Sequence, residues 1–171
     1  NVNDAPTITS TAVTTVNEDT GYSYAFAASD ADSGDSVTLS APTTPSWLSF
    51  NAGTGILSGT PSNNDVGNHS VVLKATDNSG AVDTQSFTLT VDNVNDAPTI
   101  TSTAVTSVNE DVGYSYKFTA IDVDNGDSVT LSAQSLPSPS WLNFNAETGI
   151  LSGTPNNLSL IHISEPTRLG A

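Results

Sequence analysis

Apolar residues recur at every second position over short stretches of this chain. Tyr22, Tyr24, Phe26 and Ala28 alternate with Ser23, Ala25 and Ala27, the period of a strand with one buried face. Val71, Leu73 and Ala75 repeat the alternation, as do Phe87, Leu89 and Val91, so strands are predicted over 22–28, 70–76 and 85–91. The clusters Asp-Ser-Gly-Asp, Ala-Gly-Thr-Gly and Asp-Asn-Ser-Gly fall between the strands and predict turns. No stretch carries a helical period. About seven short strands per repeat predict an antiparallel β-sandwich.

The pattern occurs twice. Residues 1–8, Asn-Val-Asn-Asp-Ala-Pro-Thr-Ile, return as 93–100 at an offset of 92. Two extra residues after Ser132 move the offset to 94, so Pro45-Ser46-Trp47-Leu48 pairs with Pro139-Ser140-Trp141-Leu142. Residues 54–61 repeat unchanged as 148–155. The copies differ at 25, 27, 29, 31 and 33 but agree at Tyr22, Tyr24, Phe26, Ala28, Asp30 and Asp32. Change confined to one parity marks one face as solvent and the other as core. The expected division is a first repeat over 1–94, an incomplete second over 95–157, and a tail over 158–171.

That tail departs from the pattern. Where the second copy should continue like Asn64-Asp65-Val66-Gly67-Asn68-His69, it reads Leu158-Ser159-Leu160-Ile161-His162-Ile163-Ser164-Glu165-Pro166-Thr167-Arg168. The string resembles the translation of a transposase-derived sequencing adapter; the alternative is a divergent natural terminus. The second repeat would then lack counterparts of strands 70–76 and 85–91, leaving an open strand edge. The opening at Asn1 reads as a cut inside a longer protein.

Charge narrows the function. Lys and Arg total 3 against 18 Asp and Glu, a formal net charge of −15. Such a field repels nucleic acid and anionic membrane and attracts divalent cations. No apolar run reaches the ~20 residues of a spanning helix, so direct membrane insertion is not expected. Cysteine is absent, which removes disulfides and thiol chemistry and leaves metal ions as the available staple.

The acids gather at strand ends. Asn17-Glu18-Asp19 and Asn109-Glu110-Asp111 precede the aromatic strand, and Asp30-x-Asp32 and Asp122-x-Asp124 follow it. Asp77 lies in a turn, and Asp92-Asn93-Val94-Asn95-Asp96-Ala97-Pro98 joins the repeats. Clustered carboxylates with amide and carbonyl support suit hard cations. With Pro-Ser-Trp-Leu-x-Phe-Asn and Thr-Gly-Ile-Leu-Ser-Gly-Thr-Pro, these motifs resemble the cadherin superfamily over residues 1–157. The likeness is to the bacterial cadherin-like tandem repeats, of dystroglycan and Ig type, of large RTX-type surface adhesins.

The resemblance implies tandem Ig-like, cadherin-like Greek-key β-sandwiches, all-β, with the second truncated, on the bacterial cell surface or outside the cell. It implies Ca2+ at an inter-repeat junction built from Glu18, Asp92, Asn95, Asp96, Asp122 and Asp124. Asn3, Asp4, Asp30, Asp32 and Asp77 would serve a junction with an upstream repeat, and Glu110 one downstream. Expected partners are neighbouring repeats of the same chain and a cell-surface protein or glycan. The cadherin linker Asp-x-Asn-Asp-Asn-Ala-Pro is matched imperfectly, because Asn95-Asp96 sits one residue nearer Pro98. The animal motif Leu-Asp-Arg-Glu is replaced around Gly59-Thr60-Pro61, with Asp65 nearby. Fewer carboxylates point to weaker binding, in the ~10⁻⁴ to 10⁻³ M range of extracellular modules.

Other residues invite blander readings. Asp35, Asp127 and Asp83 read as solvated turn acids. Trp47 and Trp141 offer a sugar-stacking platform, but Leu-x-Phe at strand spacing after each favours packing. His69 is the one credible general base, and no Ser is placed beside it by any motif. Ser58 and Thr60 need no chemistry, and Asn68-His69-Ser70 fits a glycosylation sequon irrelevant to a bacterial source. No catalytic constellation is present, so an enzyme is not expected. The rival is a carbohydrate-binding or spacer module of a secreted polysaccharide-degrading enzyme.

Overall fold

The protein is described by a computed structural model over residues 2–134, 136 and 141–156. The tail on which the adapter reading falls lies outside these residues. Two compact units divide between Val94 and Asn95.

In the first unit, nine strands run in order: β1 (Thr7–Ile8), β2 (Thr15–Asn17), β3 (Tyr22–Ala25), β4 (Ala28–Ser29), β5 (Thr38–Thr43), β6 (Leu48–Asn51), β7 (Ile56–Gly59), β8 (Gly67–Thr76) and β9 (Val82–Asp92). One sheet has the order β2-β9-β8-β5 and the other β3-β7-β6, with β1 paired to β4. All pairs are antiparallel except β2 with β9, which is parallel, so the purely antiparallel expectation is corrected there. Among the described residues the only helical element is a 3₁₀ turn at Asn63–Asp65.

The alternation read from the sequence is the core. Tyr22, Tyr24, Phe26, Leu48, Leu57, Val71, Leu73 and Leu89 form one buried cluster. Each fully buried aliphatic side chain contributes about 1.5–3 kcal/mol. The single strand expected over 22–28 is two, because it changes partner. The N–H of Phe26 donates to the Gly55 carbonyl at 2.8 Å, still on the β7 side. Ala27 then turns to the other neighbour, donating to Ser10 Oγ at 2.9 Å and accepting from Thr9 N at 2.9 Å. The Thr-Gly-Ile-Leu-Ser-Gly-Thr-Pro motif is a packing device. Gly59 lies so close under Trp47 that an added Cβ would overlap its carbonyl oxygen, and Gly55 (φ +71°) lies equally close to the Phe26 carbonyl.

The second unit repeats one of these sheets. Its strands are β10 (Thr99–Ile100), β11 (Tyr114–Lys117), β12 (Ala120–Ile121), β13 (Leu142–Asn145) and β14 (Ile150–Gly153). β11-β14-β13 reproduces β3-β7-β6, and β10 pairs with β12 as β1 does with β4. Tyr114, Tyr116, Phe118 and Leu142 form its core. Among the described residues there is no counterpart of the β2-β9-β8-β5 sheet. Thr130, Leu131 and Ser132, which correspond to β5 in sequence, join no ladder among the described residues.

Candidate metal centre

At one end of the first unit, three separate segments bring oxygen ligands together. The loop Asp30-Ala31-Asp32-Ser33-Gly34-Asp35 follows β4. Asp30 Oδ1 accepts the Asp32 N–H at 2.8 Å, closing an Asx turn, and Gly34 (φ +101°) reverses the chain. The segment before β1 supplies Asp4, whose N–H donates to Asp32 Oδ2 at 2.7 Å, and Asn3, whose Nδ2 donates to Asp77 Oδ2 at 2.8 Å. Asp77 closes the β8–β9 turn, its Oδ1 accepting from Ser79 N at 2.9 Å and Ala81 N at 2.8 Å.

Carboxylate oxygens of Asp30, Asp35 and Asp77 lie within 4.8 Å of one another. Asp30 Oδ2 is buried without a hydrogen-bond partner. The Asn3 amide, more than burial opposes it, holds the Asp77 carboxyl below its ordinary value, aided by the N–H groups of Ala81, Ser79 and Gly80. The Asp35 carboxyl is pushed up by desolvation and then by Asp30, Asp32 and Asp77. The donors are all oxygen, with no His or Cys among them. That set suits a hard cation such as calcium rather than zinc.

The second unit carries the same loop. Asp124 Oδ2 accepts the Asp96 N–H at 2.7 Å, and Asp122 Oδ1 accepts the Asp124 N–H at 3.0 Å. Asn95 Nδ2 donates to the Asp96 carbonyl at 2.7 Å. Oxygens of Asp122, Asp124 and Asp127 fall within 4.8 Å of one another. Asp124 is 5 % exposed, yet its Oδ1 has no partner. Asn95, Asp96, Asp122 and Asp127 line part of an open groove beside it.

Glu18 and Asp92 belong to the first unit, and Asn95, Asp96, Asp122 and Asp124 to the second. Glu18 is 2 % exposed; its Oε1 accepts the Val94 N–H at 2.7 Å, while Oε2 is buried and unpartnered. Its own N–H donates to the Asp92 carbonyl at 3.0 Å. The Asp92 side chain is exposed, as is Glu110, the second-repeat counterpart of Glu18. Within the first unit, therefore, Asn3, Asp4, Asp30, Asp32 and Asp77 are linked to one another. Asp35 and Asp127, read from the sequence as turn acids, lie in these clusters, each one residue after a positive-φ glycine.

The remaining candidates have structural partners. Trp47 is half-buried, its ring edge-on to Tyr22 at 6.3 Å and to His69 at 6.0 Å. His69 Nε2 meets the Asp65 carbonyl rather than a hydroxyl, which makes no nucleophile–base pair. Asp83 accepts the Ile8 N–H at 2.9 Å and so ties β1 to β9. Asp65 caps the 3₁₀ turn through Ser62, and those bonds hold its carboxyl low.

Comparison with solved structures returns the same architecture. Human protocadherin-24 repeats EC1–2 align at TM-score 0.54 and 20 % identity, covering 93 % of this chain and 83 % of that one. Protocadherin gamma B7 extracellular cadherin domains 1–4 align at 0.52 and 20 %, covering 90 % and 41 %. At these identities the likeness shows the fold alone. An endo-fucoidan hydrolase of glycoside hydrolase family 107 aligns at 0.46 and 23 %, covering 91 % of this chain and 25 % of that one, and carries no argument. The chain spans 17 % of the length of two Bacteroides fragilis structures that it also matches. Comparison with curated proteins gives no match. The profile of the He_PIG family, described as "Putative Ig domain", matches residues 5–92 and again 97–159. The chain thus belongs to that family of Ig-like domains, in two tandem copies with a cadherin-like fold.

Proposed function

We propose that this chain is a calcium-binding structural and adhesive repeat module of a secreted or cell-surface bacterial protein. The carrying observation is the acidic end of each unit, where three carboxylates cluster, one carboxylate oxygen is buried without a partner, and a backbone N–H of the preceding linker segment holds the loop. Asn3, Asp4, Asp30, Asp32, Asp35 and Asp77 are the candidate donors of the first unit. Glu18, Asp92, Asn95, Asp96, Asp122 and Asp124 are the junction set between repeats. Bound calcium supplies positive charge that offsets the repulsion among these acids. The protein's own contribution is geometric. Backbone N–H groups of Asp4 and Asp96 fix Asp32 and Asp124 to the linkers, so filling the sites orders the linkers with them. A row of such repeats is then a stiff stalk in calcium and a flexible one without it.

Calorimetric titration of the full chain with calcium tests the binding, and saturable heat is expected. A chain that gives none overturns the proposal. Small-angle scattering should show larger maximum dimensions in calcium than in chelator; unchanged dimensions in a chain with complete repeats refute the stiffening. The alternative carbohydrate-binding reading predicts glycan-array binding that is lost in Trp47→Ala. The edge-on packing of Trp47 against Tyr22 and His69 argues against a free stacking face.

A further inference from the structure

Asn125-Gly126 is the one Asn-Gly pair in the chain, and it forms the turn between Asp124 and Asp127. The Asp127 N–H closes that turn, donating to the Asp124 carbonyl at 3.3 Å. Both residues of the pair are exposed. Neither the Asn125 side chain nor the Gly126 N–H has a hydrogen-bond partner among the described residues. Nothing lies within 4 Å of a Cβ built on Gly126, so no neighbouring group crowds this peptide.

Other exposed asparagines are held. Asn78 Oδ1 accepts from Ser36 Oγ at 2.8 Å, and the next N–H, of Ser79, donates to Asp77 Oδ1 at 2.9 Å. Asn51 Oδ1 accepts the N–H groups of Gly53 and Thr54, and Asn145 Oδ1 those of Glu147 and Thr148. Asn93 is followed by Val94, whose N–H is bound by Glu18 at 2.7 Å. Each such bond engages either the carboxamide or the nitrogen that would attack it.

We propose that Asn125 is a site of spontaneous covalent modification, losing its side-chain amide through a cyclic imide closed by Gly126. The Gly126 nitrogen gives its proton to solvent base and attacks Asn125 Cγ. The N–Cγ bond forms, the Cγ–Nδ2 bond breaks, and Nδ2 takes a proton from solvent and leaves as ammonia. Water then adds to either imide carbonyl and opens the ring, giving aspartate or, with the main chain rerouted through Cγ, isoaspartate. No oxidant or reductant enters. The product carries an added carboxylate beside Asp124 and Asp127, and the iso form lengthens by a methylene the turn that the Asp127 N–H closes. The first repeat has Ser33 before Gly34 and so no carboxamide to lose there. The reaction therefore marks this loop in the second repeat alone, whether or not the chain binds calcium.

The test is to hold the full chain in mildly alkaline, chelator-containing buffer at body temperature for several weeks, beside Asn125→Ser and a free peptide spanning residues 122–127. Asn125→Ser installs the residue that the first repeat carries at this place, and circular dichroism checks that it folds. Peptide mass spectrometry reads each asparagine, and enzymatic methylation reads isoaspartate. Asn125 should lose its amide to both products while Asn51, Asn78 and Asn145 keep theirs, and Asn125→Ser should develop no isoaspartate in this loop. If the free peptide converts and Asn125 in the folded chain does not, the loop protects the residue and the inference is overturned. Equal conversion at Asn78 and Asn145 reduces the effect to unselective hydrolysis and overturns it as well.

Discussion

Asp30→Asn should change the stability of the first unit with opposite sign in calcium and in chelator. Asp30 Oδ1 holds the Asp32 N–H, a role an asparagine oxygen keeps, while Oδ2 is buried without a partner and the carboxylate clusters with Asp35 and Asp77. Without cation, removing this charge relieves repulsion within the cluster, so the variant should equal or exceed the parent. With cation the balance reverses. At 10 mM calcium and a dissociation constant of ~10⁻⁴ to 10⁻³ M, binding stabilises the folded parent by about 1.4–2.7 kcal/mol. Losing one of three carboxylates weakens binding about tenfold and leaves about 0.4–1.4 kcal/mol. For a unit of this size each kcal/mol is worth about 4–8 °C in Tm. Native-state hydrogen exchange at the Val71 and Leu73 amides reads the first unit alone, since β8 has no counterpart among the described residues of the second. Equal calcium-dependent protection in parent and variant would refute the reasoning.

Asn3→Ala should move the acid limb of the first unit's stability in chelator. The folded Asp77 carboxyl lies below its unfolded value, so its stabilisation is present above pH ~4 and fades as pH falls through the folded value. The parent's advantage over the variant should therefore be full above pH ~4 and shrink as the pH falls below it in urea melts; a pH-independent difference would contradict this. Tyr24→Phe removes a buried hydroxyl that contacts Ser10 Oγ and donates to Gln85 Oε1, both at 2.7 Å, and should cost about 1–3 kcal/mol. Tyr116→Phe should cost less, because Tyr116 contacts Ser102 Oγ at 2.7 Å and has no Gln85 counterpart among the described residues, a ranking that chemical denaturation checks. Gly59→Ala should disrupt the first unit by several kcal/mol through overlap with the Trp47 carbonyl, seen as loss of near-ultraviolet circular dichroism. Ser62→Ala should raise the Asp65 carboxyl toward its ordinary value in a nuclear magnetic resonance titration.

The half-buried strands were legible because their side chains obey a period of two, and the drift between copies at alternate positions named the core face. Tyr22, Tyr24, Leu73 and Leu89 are buried as that face required. The break at Phe26 was not legible. It arises from a change of hydrogen-bonding neighbour, and the side-chain alternation passes through it unaltered. The parallel pairing of β2 with β9 was hidden for a related reason, since three residues, Thr15–Asn17, carry too little pattern to choose a partner. At the acidic end, Asp30, Asp32 and Asp77 stood out by type and place. The proximity of Asp35 and Asp127 to these clusters did not, because it depends on a positive-φ glycine that folds the loop back on itself.

The parallel β2–β9 pair also sets how the first unit answers tension. Thr15 lies opposite Thr90 and Asn17 opposite Asp92, near the entry and the exit of the unit. Pulling the chain apart at its two ends drags these parallel strands past each other, so their hydrogen bonds share the load rather than opening one at a time. The Glu18–Val94 bond sits at the end of that pair and is loaded with it. A unit built this way resists extension through its terminal strands, whatever its neighbours contribute.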